Sequence, residues 1–245
     1  SYLPEAYNKG DDWFEATLGE PMVYTGAIYL SDNDSMWESQ NRKLDYIANA
    51  IGVKKGDNAM DIGCGWGRLS NHLASKGAKV TGVTMSSDQQ AYAKRMNKAE
   101  GSNVNIVLQN FFEVDFKPKS FNVISSVEMA EHVGIRNYNK FLRKVHSLLA
   151  DDGTFYLQVA GLPRGYGEGY NHYEDLLWGL FMDEHVFPGA DASCPLGWVT
   201  THLERAGFEV QAVQNLGNHY SKTLYSWQLV WESKKDEISK AYGER

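Results

Sequence analysis

The chain holds little cysteine: two residues in 245, Cys64 and Cys194, far apart in sequence. Cys64 lies inside a glycine-rich turn, so no structural disulfide is expected and a reducing compartment is. A basic excess is missing too. The formal net charge of −7 and pI near 5.5 argue against a nucleic-acid partner, which calls for a basic face. They argue equally against a polybasic grip on anionic headgroups. The seven histidines form no pair at metal-ligand spacing, so no metal site is predicted. No stretch approaches the ~20 apolar residues of a membrane helix, and no signal peptide is expected in these residues. The chain opens "SYLPEAY" without an initiator Met and stops at "AYGER" in helical composition, which predicts a soluble piece cut from a longer protein.

What is present suits a globular domain: 42% hydrophobic and 22% charged residues, in a chain long enough for one large core. Residues 1–35 are aromatic-rich with no clear helical period. "SMWESQNRKLDYIANAIGV" puts Trp37, Leu44, Ile47, Ala48 and Ile51 on one face and predicts a helix. "NAMDIGCGWG" reads as a buried strand and turn, followed by the helix "RLSNHLASKG" ended by Gly77. "AKVTGVTM" is a strand, and "SSDQQAYAKRMNKAEG" a helix capped by Ser86 or Ser87. "VNIVLQN" and "FNVISSV" are strands, "RNYNKFLRKVHSLLADDG" an amphipathic helix closed by Gly153, and "TFYLQVAG" another strand. Strands alternating with helices predict βαβ units and a mainly parallel sheet in one α/β domain spanning 1–245. Residues 162–195 form a Gly- and aromatic-rich insertion, read as a cap. The helix "WVTTHLERAG" follows, then "FEVQAVQNLG" and "TLYSWQLVW" as an antiparallel hairpin at the sheet edge.

"DIGCGWG" places Gly63, Gly65 and Gly67 between the first strand and its helix. Ligands of open parallel sheets bind at such strand ends, and glycine lets them approach the backbone. A dinucleotide turn needs G-x-G-x-x-G, but the third glycine of that pattern falls on Arg68, which weakens a nicotinamide reading. Asp61, two residues before Gly63, suits a cationic ligand. The second strand ends "GVTMSSDQQ" with no carboxylate before Asp88, leaving Thr84 and Gln89 as its polar groups.

The D-x-G-x-G-x-G pattern resembles motif I of class I S-adenosylmethionine (SAM) methyltransferases. "GVTxSxxQ", with "YTGAIY", "GCGWG", "EMAEHVG" and "NHYSKTLYSW", is similar to the cyclopropane fatty acid synthase and mycolic acid cyclopropane synthase group, over nearly the whole chain. "YLPEAYNKGDDWF", "VEMAEHVGIRNY", "YEDLLWGLFM" and "VFPGADASCPLGWV" resemble the fungal sphingolipid C9-methyltransferases. The resemblance implies a Rossmann-like fold with a seven-stranded sheet, SAM as methyl donor and S-adenosylhomocysteine (SAH) as product. It implies a ceramide-type lipid substrate, and a parent anchored by two N-terminal membrane spans with this domain facing the cytosol at the endoplasmic reticulum or Golgi.

Residue by residue, the resemblance puts Tyr24 and Thr25 at the cofactor's amino-acid end, within a covering segment of residues 1–35. It puts Asp61, Gly63, Gly65 and Trp66 beneath the cofactor, Thr84 and Gln89 on its ribose, and Asn110 with Phe111 at the adenine. Glu131 and Tyr220 line the reacting centre, with Glu128 nearer the cofactor or supporting Glu131. Gly26, Gln158 and, in the cap, Trp178, Phe181 and Phe187 are assigned to the substrate side. The cyclopropane enzymes hold a bicarbonate ion with a Cys and a His where this chain has Gly26 and Gln158, and Glu128 stands where Gly is usual. Bicarbonate binding is therefore open.

"ISSVEMAEHVG", residues 124–134, ends a buried strand on two carboxylates and a histidine. Buried charge is costly unless compensated, and methylation of an alkene supplies a reason, because it leaves a carbocation that needs fixed negative charge and no water. The competing reading has Glu128 and His132 capping the next helix and bonding each other. Ring closure on a phospholipid chain, N-methylation of a small amine as in coclaurine N-methyltransferases, and cofactor binding without catalysis are the other readings.

Overall fold

The computed structural model describes Tyr7, residues 10–162, Leu177, residues 179–181, Glu184, Ala190 and residues 194–243. Among the described residues five parallel strands form one sheet: β1 (Asn58–Ile62), β2 (Lys79–Thr84), β3 (Asn105–Leu108), β4 (Phe121–Val127) and β5 (Leu149–Gln158). Their order is β3-β2-β1-β4-β5. The chain moves outward from β1 to β3, then returns to β4 on the other side of β1. That reversal opens a crevice at the carboxyl ends of β1 and β4, where ligands of such sheets bind. Ile62 pairs with Val83 on one side and Ser126 on the other, so Gly63 and Glu128 leave adjacent strands almost level with each other.

Helices with both ends among the described residues are α1 (Asp11–Leu18), α2 (Met36–Ala50), α3 (Arg68–Ser75), α4 (Ser87–Ala99), α5 (Ile135–Leu148), α6 (Leu196–Arg205), α7 (Gly217–Ser233) and α8 (Lys235–Tyr242). Ser35 starts α2 through a capping box with Glu38, and the Ser86 side chain caps α4. Helix α5 buries Tyr138, Phe141, Leu142, Val145 and Leu148 at helical spacing, against Met60, Ile62 and Ile124 of the sheet. Leu44, Ile47, Ala48 and Ile51 pack with Ala59, Leu73 and Val80 on the opposite side.

Four features differ from the sequence expectations. A helix, α1, interrupts residues 1–35; it is two turns long and buries Phe14, Ala16 and Leu18, too short to show a period. Trp37 is 39% exposed instead of facing the core, with the Arg68 guanidinium 5.2 Å from its ring. Helix α5 ends at Leu148 rather than Gly153, because Leu149 already pairs with Phe121 in the sheet. The edge hairpin is absent from the described residues. Residues 208–216 carry no strand pairing, and "TLYSWQLVW" lies inside α7, which buries Thr223 and Trp227 four residues apart. Its apolar run of strand length does not separate strand from helix, and the spacing of the buried pair decides for helix.

Candidate active site

A cavity of about 380 Å³ fills the crevice at the ends of β1, β2 and β4. Each of the ten residues assigned to the cofactor lines it: Tyr24, Thr25, Asp61, Gly63, Gly65, Trp66, Thr84, Gln89, Asn110 and Phe111. The glycine turn is built on three left-handed positions, Gly63 (φ 75°), Gly65 (φ 55°) and Gly67 (φ 87°), a conformation that glycine adopts without strain. A Cβ on Gly65 would meet nothing within 4 Å, so its backbone opens onto space. A Cβ on Gly63 would lie 2.5 Å from Met129 Cγ. Gly63→Ala is therefore expected to lose roughly 2–4 kcal/mol of stability from backbone strain and overpacking, and SAH affinity with it. Chemical denaturation and calorimetric titration with SAH test this, and a variant unchanged in both would contradict the close packing of the turn.

Asp61 is buried at the end of β1 and accepts hydrogen bonds from Ser70 Oγ (2.7 Å) and Ser125 Oγ (3.1 Å). Burial raises its pKa to about 6 against the pull of those hydroxyls and of Lys43. At the end of β2, Thr84 Oγ1 donates to Gln89 Oε1 (2.8 Å), which leaves the Gln89 amide nitrogen to donate elsewhere. Asn110 spends its Oδ1 on the Phe112 amide (2.9 Å), and Phe111 packs edge-on to Phe141 at 5.5 Å between ring centroids.

The N-terminal segment forms the opposite wall. Tyr7, Met22, Val23, Tyr24 and Thr25 all line the cavity. Phe14 of α1 packs at a tilt against Trp66, 4.6 Å between ring centroids, and Tyr24 likewise against Trp227 of α7 at 5.3 Å. Burial and the nearby Glu128 charge push the Tyr24 phenol to about 12. Helix α2 pins this wall: Gln40 Nε2 donates to Thr25 O (2.9 Å), and Lys43 Nζ donates to Thr25 Oγ1. On the α7 side, Ala27 N donates to Thr223 Oγ1 (2.9 Å).

Glu128 is the junction. It lines this cavity and also a second, larger one of about 1370 Å³ beside β5, which Gly26, Gln158 and Tyr220 line too. Oε1 of Glu128 accepts from Gly26 N (3.1 Å) and Gln158 Nε2 (2.7 Å), while Oε2 accepts from Tyr220 OH (3.1 Å). Tyr156 OH donates to Gln158 Oε1 (3.0 Å), which turns the amide so that its nitrogen faces Glu128. Burial raises the Glu128 pKa, opposed by Lys43 and by its three donors.

Glu131 sits one layer back, in the short 3-10 turn Ala130–His132, and lines a small separate cavity with Tyr138, Val159 and Ala160. Its Oε1 accepts from Ala160 N (2.6 Å), whereas the buried Oε2 has no hydrogen-bond partner among the described residues. Burial lifts its pKa to about 7, and the Glu128 charge adds to the rise. His132 lines the cofactor cavity, with Nε2 3.3 Å from Tyr7 OH. Neither Glu128 nor His132 caps α5, whose N-cap is Gly134 without a side-chain bond. Phe181 is 55% exposed. Trp178 and Phe187, with most of the cap, lie outside the described residues.

Sequence reasoning missed Gln40, Lys43 and Tyr7. A signal for the first two exists: they fall on the same face of α2 as Leu44 and Ile47, and polar residues aligned with an apolar stripe are buried for a reason. Lys43 is 1% exposed, and desolvation lowers its pKa to about 8 despite the attraction of Glu128 and Asp61.

The cavity fits SAM. Two carboxylates, Asp61 and Glu128, and one ammonium, Lys43, line it. That set complements a sulfonium and an amino-acid zwitterion. The indole Nε1 of Trp66 is buried without a partner among the described residues, and the Gly65 backbone is open to a ligand.

Comparison with known proteins agrees. The family model "Mycolic acid cyclopropane synthetase" matches residues 2–245. Sphingolipid C9-methyltransferase 2 of Gibberella zeae is 41% identical over 98% of this chain and 46% of its own length. The chain thus spans about half the length of the curated relatives it matches. The cyclopropane synthase MmaA2 from Mycobacterium tuberculosis superposes with a TM-score of 0.88 at 25% identity, covering 97% of this chain and 85% of that one. The mycolic acid cyclopropane synthase CmaA1, complexed with SAH and CTAB, gives 0.89 at 26% identity over 97% and 85%. The chain belongs to the mycolic acid cyclopropane synthetase family and is a SAM-dependent methyltransferase domain of the Rossmann-like kind, similar to the fungal sphingolipid C9-methyltransferases.

Proposed function

We propose that this domain is the catalytic part of a lipid C-methyltransferase that adds a methyl group to C9 of a Δ8-unsaturated sphingoid base in a ceramide-type lipid. One observation carries the reading: a half-buried carboxylate, Glu128, forms the shared wall of the cofactor cavity and of a second cavity large enough for part of an acyl chain. The likeness to sphingolipid C9-methyltransferases supports the choice of lipid.

When bound, SAM supplies an electrophilic methyl group. The chain's residues have three tasks beside it. They hold the alkene in line, which is worth up to ~7–11 kcal/mol. They exclude water, which would trap a carbocation as an alcohol. They also set negative charge beside the cationic carbon, at about 4 kcal/mol for one carboxylate ~4 Å away in an effective dielectric near 20. Alignment dominates, and the carboxylates decide where the charge develops. Glu128 is assigned the position next to the cation, Glu131 a second negative charge behind it, and Tyr220 the orientation of Glu128.

Leu177, Leu180 and Phe181 are exposed apolar residues in the segment assigned to the acyl tail. No helix among the described residues is long and apolar enough to cross a membrane. The curated relatives are about twice as long as this chain, and their extra length is where a membrane anchor on the cytosolic face of the endoplasmic reticulum or Golgi is assigned.

The test incubates the full-length parent with SAM and with ceramides that carry or lack the C8 double bond, and reads products by mass spectrometry and NMR. A gain of one CH2 on the unsaturated lipid alone is expected, as a methyl branch on a retained double bond. Methylation of the saturated control would contradict the alkene reaction, and a cyclopropane ring would assign the chain to ring closure.

A further inference from the structure

Resemblance to the cyclopropane enzymes places a bicarbonate ion against the positions of Gly26 and Gln158. The residues present do not leave it a place. Gly26 N and Gln158 Nε2 both donate to Glu128 Oε1, at 3.1 and 2.7 Å. The packing is close on the remaining side: a Cβ on Gly26 would stand 2.8 Å from Tyr220 Cδ2 and 3.6 Å from Glu128 Oε1. The donors an anion would need are already spent on a carboxylate of the chain itself.

The backbone points the same way. Glu128 has φ 50°, a left-handed conformation that costs a side-chain-bearing residue energy and that glycine would take freely. Strain of this kind persists where the surroundings hold it, and it clusters at functional sites. Glu128 N also donates to Gln158 O (2.8 Å), which continues the β4–β5 pairing and fixes the carboxylate's stem. The strained position therefore delivers one particular group, a carboxylate, to the wall between the two cavities.

We infer that Glu128 takes the place of a bound anion and is itself the proton acceptor of the reaction, so that turnover requires no bicarbonate. This rests on the lipid-alkene reading above. The carbon–hydrogen bond next to the cationic centre breaks, its electron pair forms the new double bond and discharges the cation, and the proton goes to Glu128. Among the described residues Oε1 accepts two hydrogen bonds and Oε2 one, so Oε2 keeps the lone pair that receives it. Tyr220 holds this oxygen as a donor. Its phenol is pushed far above the usual tyrosine range by burial and by the Glu128 charge, which disqualifies it as the base.

Two measurements on the full-length protein decide the matter. The first is calorimetric titration with sodium bicarbonate and needs no turnover. Wild type is expected to give no saturable binding, and Glu128→Gly, whose glycine suits the backbone at that position, is expected to bind. The second is turnover in carbon dioxide-free buffer. Wild type is expected to be unaffected. Glu128→Gln, which keeps the shape, is expected to fall at least ~100-fold in kcat at saturating SAM. Bicarbonate or formate is expected to restore part of the lost rate to Glu128→Gly. Saturable bicarbonate binding by wild type, loss of wild-type turnover on bicarbonate removal, or a smaller fall in Glu128→Gln would each overturn the assignment. If wild type methylates no unsaturated lipid, the proposed function fails, and the titration still decides whether Glu128 fills the anion position.

Discussion

Lys43→Met is expected to weaken SAH binding by about 10- to 100-fold, roughly 1.4–2.7 kcal/mol, without loss of fold stability. The cofactor's amino-acid carboxylate must enter a dry cavity that already holds Asp61 and Glu128, and it needs a cation there. Lys43 is the ammonium in that wall, with Nζ on Thr25 Oγ1. The other cation lining the cavity, Arg68, is engaged by Pro21 O at 3.2 Å and by Glu100 at 3.0 Å. Stability moves the other way. The folded pKa of Lys43, about 8, lies below the unperturbed 10.5, so the unfolded chain binds the extra proton between those values. Stability contributed by this residue thus rises with pH across that window and is lowest below pH 8, where the buried ammonium is carried at a cost. Methionine removes that cost and keeps the packing volume. Calorimetry with SAH and chemical denaturation at pH 7 separate the two effects, and an affinity equal to wild type would remove Lys43 from the site.

Lys43 also marks the limit of what the sequence discloses. Its helix is legible from Leu44, Ile47 and Ala48 at helical spacing, all buried as expected. A lysine on that face can be singled out, but its partners cannot, because its burial is created by α2 packing against the 25–28 segment and the ends of β1 and β4, which are distant in sequence. The glycine turn is legible for the converse reason. The left-handed φ values of Gly63, Gly65 and Gly67 are a local demand, met by glycine and written in its spacing.

The two carboxylates of residues 128–131 are legible as a pair but not in their separate placements. After Val127 the backbone takes a left-handed residue and then a 3-10 turn, and this turns Glu128 toward both cavities and Glu131 toward Ala160. No periodicity covers such a change of direction. The same holds at the sheet edge, where "TLYSWQLVW" has the composition of a strand and the structure of a helix. Its helical form follows from the contacts of α7 with α1 and with the 27–29 segment, where Trp231 meets Trp13 at 5.9 Å and Thr223 and His219 accept from the Ala27 and Tyr29 amides.

Glu131→Gln is expected to gain stability and lose activity together. Burial raises the folded pKa of Glu131 to about 7 from the ordinary 4.5. Between those values the folded chain holds a proton that the unfolded chain has released. Stability from this residue therefore falls as pH rises from 4.5 to 7, and the penalty is complete above pH 7. Glutamine cannot ionise, and its side-chain oxygen still accepts the Ala160 amide. The variant is expected to match wild type near pH 4 and to exceed it by about 3 kcal/mol at pH 8, the cost of holding a carboxyl near 7 instead of 4.5 at about 1.36 kcal/mol per pH unit. Denaturation at the two pH values measures this directly. If the charge on Glu131 is what the reaction uses, turnover falls about tenfold, the loss of roughly 1.4 kcal/mol of transition-state stabilisation. A buried carboxylate with one oxygen unpartnered among the described residues, retained at a cost to the fold, is the mark of a group kept for its charge. Stability gained with turnover intact would make Glu131 a structural residue and leave the cation to Glu128 alone.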